Sequence, residues 1–240
     1  MKRLIILIVA IMCFSVNANV YAENSEVPKP VDILADLNII DADGFSDPEA
    51  VSRKECLISV MRAIGATDEG IDSLGTTYDM FTFADTKTRS YFGCAYVSHI
   101  AYGEECTVSY PTYRTQHTQK NTEIFFFPDR AVTLKEALAF MVRCLEPGRI
   151  ELESAFEKAK NYGLIKADEE LIQKADSQIS QDEYCILLER FLHQKRYMYY
   201  NGEMRMQASV DEEHSITYLD FLTDREEKGV TFNKKESGDK

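Results

Sequence analysis

The sequence predicts a mainly α fold with a small β addition, and three observations carry that expectation. The tetrad S/T-x-x-E occurs three times, as Ser52–Glu55, Thr133–Glu136 and Ser180–Glu183. Each tetrad opens an apolar stripe at helical spacing: Leu57, Val60 and Ile64; Leu138, Met141 and Leu145; Cys185, Leu188 and Leu192. Each stripe carries an arginine at the same remove from its tetrad: Arg62, Arg143 and Arg190. A tetrad of this kind is a capping box, in which two side chains satisfy two orphan amides at a helix start. One box is common. Three in register with a stripe and an arginine mark an internal repeat.

Taken in chain order, residues 1–22 read as a secretory signal peptide. Lys2 and Arg3 form its basic end, Leu4 to Phe14 its apolar core, and Val20-Tyr21-Ala22 a cleavage site. The apolar run is about half of the roughly 20 residues that span a bilayer, and no later segment qualifies as a span. Residues 23–30 read as a linker. The first unit covers about 31–65. Its opening helix ends at "LADLNII", with Asn38 as a positive-φ stop, and its second helix ends at Gly65. The second unit covers about 83–146, and its "HIAYGEE" places the matching stop at Gly103. An insertion over about 104–126 interrupts it, where "CTVSYPTYR" and "TEIFFF" read as strands. The third unit covers about 153–194, with Gly163 of "AKNYGLI" as its stop. Residues 196–240 form a hairpin around Asn201-Gly202, then "SITYLDFL" as a strand or short helix, then a polar tail. That hairpin either pairs with the insertion or joins it in a recognition surface rich in Tyr and Phe.

The chain carries 27 basic and 40 acidic residues, for a formal net charge of −13. Loss of Lys2 and Arg3 with the signal makes the mature chain more acidic still. That balance disfavours nucleic acid, or any anionic surface, as a general partner. Cys56, Cys94, Cys106, Cys144 and Cys185 remain after cleavage. Cys56, Cys144 and Cys185 lie in apolar helical stretches, where a thiol acts as a small hydrophobe. A Cys94–Cys106 disulfide is possible, and the spacing of the five suits no zinc site.

"DADGFSDPE" (Asp41 to Glu49) offers acids at calcium-loop spacing, but its glycine comes too early and the loop is too short. A tight Asp-Gly turn explains it. His99, His117, His193 and His214 fall in no metalloprotease spacing, and no nucleophile elbow or phosphate loop is present. Cys94 and His99 are five residues apart, which does not place a thiol and a base face to face on a helix. No catalytic residue, metal ligand or cofactor is expected.

"DGFSDPEAVSRKE" (Asp43 to Glu55) is similar to the D-G-x-F-x-P loop and I-T-R-A-E helix start of the S-layer homology (SLH) domain. "FPDRAVTLKE" (Phe127 to Glu136) repeats it, "ISQDE" (Ile179 to Glu183) is a degraded copy, and "FADTKTRSYFGCAYVSHIAYG" (Phe83 to Gly103) resembles a unit's F-x-D opening. The resemblance covers residues 31–195. It implies three units in a pseudo-threefold arrangement, secretion, and attachment to a Gram-positive-type cell wall. The ligand it implies is an acidic, often pyruvylated, secondary polysaccharide held in grooves between units, partly by the arginine of T-R-A-E. Arg53 stands at that position, whereas Leu134 and Gln181 stand at the other two, and the chain has no Trp.

The candidate ligand contacts are therefore Arg53, Lys54, Arg130 and Lys135. Ser52, Glu55, Thr133, Glu136, Ser180 and Glu183 are read as structural caps, and Arg62, Arg143 and Arg190 as cations complementing helix C-termini. The expected function is a secreted, non-catalytic cell-envelope binding module at the cell wall or surface. Its partner would be cell-wall secondary polysaccharide or another envelope protein. The alternative is a secreted protein-interaction module that kept the fold, lost polymer binding, and works through the insertion and the hairpin.

Overall fold

The computed structural model describes residues 28–73, 83–86, 91–111, 118–146, 148–166, 168–195, 198–200, 207–209 and 216–227. The segment read as a signal peptide, most of the residues read as a linker, the Asn201-Gly202 dipeptide and the tail from 228 lie outside the described residues. Among the described residues the protein is mainly helical, with eight α-helices and two small antiparallel sheets. The helices are α1 (Pro30–Asp36), α2 (Arg53–Ala63), α3 (Asp68–Ser73), α4 (Tyr91–Val97), α5 (Leu134–Leu145), α6 (Leu152–Asn161), α7 (Gln181–Leu192) and α8 (Tyr218–Glu227). No helix among the described residues is long and apolar enough to cross a membrane.

Helices α2, α5 and α7 each start at a capping box. Ser52, Thr133 and Ser180 accept from the amides of Glu55, Glu136 and Glu183, whose carboxylates accept from the cap amides in return. The helix before each ends in a left-handed residue, Asn38 (φ 55°), His99 (φ 59°) or Gly163 (φ 67°). The next amide then reaches back over the last turn: Ile39 to Leu34 (2.9 Å), Ile100 to Ala95 (2.8 Å), Leu164 to Ala159 (3.0 Å). These are Schellman closures, and they turn apolar residues into the core.

The second stop is thus His99 and not Gly103. Histidine is among the few residues that enter the left-handed region with modest strain. Gly103 has a different task. A Cβ there would meet Ile124 Cγ2 and the Phe125 carbonyl oxygen at 2.5 Å and Phe83 Cδ1 at 2.8 Å. Glycine is needed because the insertion's second strand passes directly over it.

Three buried residues that precede the boxes form a closed ring of backbone hydrogen bonds. The Val51 amide donates to the Ile179 carbonyl (3.1 Å), Ile179 to Val132 (3.3 Å), and Val132 back to Val51 (2.8 Å). The same loops satisfy the first free amides of the helices. Arg53 and Lys54 donate to the Arg130 and Pro128 carbonyls, Leu134 and Lys135 to Ser177 and Ala175, and Gln181 to Pro48. Each helix start is therefore sealed by a loop of another unit, which removes orphan donors that burial would make costly.

The insertion is a two-stranded sheet, β1 (Glu104–Pro111) and β2 (Thr118–Phe125), paired from Glu104–Phe125 to Pro111–Thr118. Asp85 accepts from the Phe126 and Phe127 amides (2.8 and 2.6 Å) and anchors the exit of β2. The second sheet, β3 (Met198–Tyr200) with β4 (Gln207–Ser209), is separate, so among the described residues the hairpin strands do not pair with the insertion. "SITYLDFL" enters a helix. Thr217 and Asp220 form a fourth box of the same logic with a shorter acid. Tyr218 stacks on Phe191 at 4.9 Å, and its hydroxyl donates to the Cys144 carbonyl (3.1 Å).

Candidate ligand grooves

The cap-side ends of α2 and α5 each border a groove. Groove one, about 200 Å³, lies between the start of α2, the Tyr102–Glu104 segment, α5 and the start of α6. Arg53 lies at its floor, 3% exposed. Its Nε donates to the Phe126 carbonyl (2.8 Å), its Nη1 pairs with Glu136, and its guanidinium carbon lies 4.6 Å from the Phe126 ring centroid. Burial pushes the Arg53 guanidinium below its ordinary range, while Glu136 opposes that shift. An arginine so placed stays charged.

Arg143 forms the opposite wall, also buried. Its Nε donates to the Ile150 carbonyl (2.9 Å), its Nη1 to the Ile100 carbonyl (3.3 Å), and it sits 4.3 Å from the Tyr102 ring centroid. Ile100 directly follows the His99 stop, so this arginine clamps the turn as well as its own helix end. Arg190 does the same to Leu164, directly after Gly163 (3.1 Å). Among the described residues, the Tyr102 hydroxyl is buried without a hydrogen-bond partner.

Groove two, about 160 Å³, is lined by Asp41, Phe45, Ser46, Lys54, Glu55, Ser59 and Arg62, with apolar Ile39, Ile40 and Ile58. Glu55 and Arg62 stand at the same places after their cap as Glu136 and Arg143 after theirs. Gln181 stands at the joint that Arg53 fills elsewhere, and its Oε1 accepts from the Phe45 amide (3.0 Å). The Asp41–Glu49 loop is held by such bonds: Gly44 (φ 79°) donates to the Asp41 carbonyl, Ser46 to Glu55, and Glu49 to Asp47. It is a turn, as the Asp-Gly reading has it.

The four candidate contacts separate. Arg53 floors groove one and Lys54 lines groove two, exposed. Arg130 bridges Glu104 and Glu136, both at 2.7 Å, beside groove one. Lys135 points away from both grooves, into Glu153 (2.9 Å) and Asp176 (3.0 Å). The sequence reading missed three things: Tyr102 as a groove wall, Arg143 as a second groove arginine, and Glu136 as the receiver of two arginines beyond its box. Only the register of Arg143 with Arg62 and Arg190 hinted at any of them.

The five cysteines of the described residues are free, Cys94 and Cys106 included. Burial pushes the Cys56 and Cys185 thiols up to about 12 and the Cys94 and Cys144 thiols up as well, away from thiolate chemistry. His99 is spent as the helix stop. No group of three or more His, Cys, Asp or Glu that could hold a metal occurs among the described residues. In comparisons with family models, curated proteins and solved structures, nothing matches this chain.

Proposed function

We propose that this protein is a secreted, non-catalytic SLH-like module that binds acidic cell-wall polysaccharide in the groove between its first two units. The carrying observation is groove one itself: two buried arginines, Arg53 and Arg143, flank the Tyr102 ring at a joint between repeats. Guanidinium forks suit carboxylates, and a tyrosine ring supplies an apolar face for a sugar. The closed ring of Val51, Val132 and Ile179 supports the pseudo-threefold arrangement that goes with this reading, because each unit meets the next through equivalent backbone positions.

One observation favours a second reading, a secreted protein-interaction module. Arg53, Arg130 and Lys135 are in internal ion pairs, and Glu104, Glu136 and Glu151 offset the two arginines of groove one. Co-sedimentation of the mature protein with purified walls separates the readings. Pelleting that requires the secondary polymer, and that weakens in Arg53→Lys at a temperature where circular dichroism shows the variant still folded, supports the envelope role. No pelleting with either wall leaves the protein-interaction reading.

A further inference from the structure

The third repeat differs from the other two at one point. Arg190 occupies the place after its cap that Arg62 and Arg143 occupy after theirs, and the latter two face open grooves. Arg190 faces a carboxylate of its own chain. Glu169 takes Nη2 of Arg190 on Oε1 at 2.6 Å and Nη1 on Oε2 at 2.9 Å, a two-pronged bond. Glu169 is itself pinned, since its Oε2 also accepts from the Lys166 amide (3.1 Å). Among the described residues no carboxylate lies within ion-pair distance of Arg143, and Arg62 meets Asp41 only at 3.4 Å. The residues at the matching remove from the earlier stops are Gly44, which has no side chain, and Glu105, which lies in β1 paired with Ile124.

We infer that Glu169 is a built-in occupant of the third repeat's arginine: its carboxylate takes the Arg190 guanidinium that an acidic sugar would take, leaving the module with its two grooves as open sites. The inference rests on the groove reading of the function. The geometry is that of carboxylate recognition by arginine, which is bidentate and directional. A tethered carboxylate competes at an effective concentration far above that of a free ligand. The hydrogen bonds from Arg190 hold the Glu169 carboxyl below the usual carboxylate range, so it remains an anion and a competitor at neutral pH.

The test uses the full mature chain and sodium glucuronate as probe, with the arginine Nε–H resonances followed by NMR. Glu169→Gln keeps an oxygen for the Lys166 amide and removes the charge. In this variant the Arg190 resonance should titrate with glucuronate at an affinity about tenfold or more above wild type, in which the tether competes. Glu169→Asp, which withdraws the carboxylate, serves as a second variant if Glu169→Gln melts early. An Arg190 resonance that stays still in both variants, or that titrates equally in wild type, overturns the inference. The Arg143 resonance of the wild type reports on groove one separately. If it is silent while Arg190 of the variant responds, the envelope reading fails and the role of Glu169 stands.

Discussion

Arg53→Ala tests whether the residue nearest to a ligand contact is first a structural element. Sequence alone places Arg53 at an exposed helix start, where truncation would cost within about 0.5 kcal/mol. In the fold its side chain is 4% exposed and that of its partner Glu136 is 15% exposed. The variant breaks a largely buried ion pair and leaves Glu136 with Arg130 as its remaining cation. It also strands the Phe126 carbonyl and removes the cation over the Phe126 ring. Breaking a buried pair by deleting one partner costs about 3–5 kcal/mol, and Arg130, whose side chain is 42% exposed, offsets little of it. We expect a loss of about 3–5 kcal/mol in urea denaturation, with the melting temperature lower by about 2–4 °C per kcal/mol. Arg53→Lys keeps the charge, loses the fork, and should cost about half as much. An Arg53→Ala variant as stable as wild type would refute the argument. It would return Arg53 to the solvent and make its loss in a wall-binding assay a pure measure of ligand contact.

Gly103→Ala should cost about 1–3 kcal/mol by overpacking, because one of the atoms its Cβ meets is a backbone oxygen that cannot rotate away; thermal melting checks it, and an unchanged midpoint would mean that β2 does not cross there. Gly163→Asn should be nearly neutral, since the space around Gly163 is open and asparagine tolerates its positive φ. Tyr218→Phe should cost about 1 kcal/mol for the lost bond to the Cys144 carbonyl, read by urea denaturation. Glu169 has a depressed carboxyl pKa in the fold, so its contribution is full above the unfolded value, about 4.3, and is lost as pH falls through the folded value. Melting temperatures between pH 7 and pH 3 should therefore fall less steeply in Glu169→Gln than in wild type.

Local chemistry made much of this fold readable in the sequence. A capping box needs only residues three apart, so Ser52–Glu55, Thr133–Glu136 and Ser180–Glu183 could be located without knowing what they pack against. Asn38 and Gly163 were legible as stops for the same reason. The middle stop was misplaced because glycine is the stronger local signal. Gly103 owes its identity to a strand that returns to it at Ile124 and Phe125, and His99 does the work four residues earlier. The fourth box escaped because Asp220 replaces the glutamate of the repeat.

The grooves were not legible, for a physical reason. Whether Arg53 is a free cation or a buried one depends on Glu136, Phe126 and Tyr102, none of them near it in the chain. The same holds for Arg190, whose state is set by Glu169 across a loop. The sequence by itself determined the three capped helices of the repeat, their starts, and two of the three stops before them, because those are hydrogen bonds closed within one or two turns. Only the tertiary structure decided which arginines face an open groove and which are already paired, because charge pairing is a property of distance in space and the chain brings those carboxylates in from elsewhere.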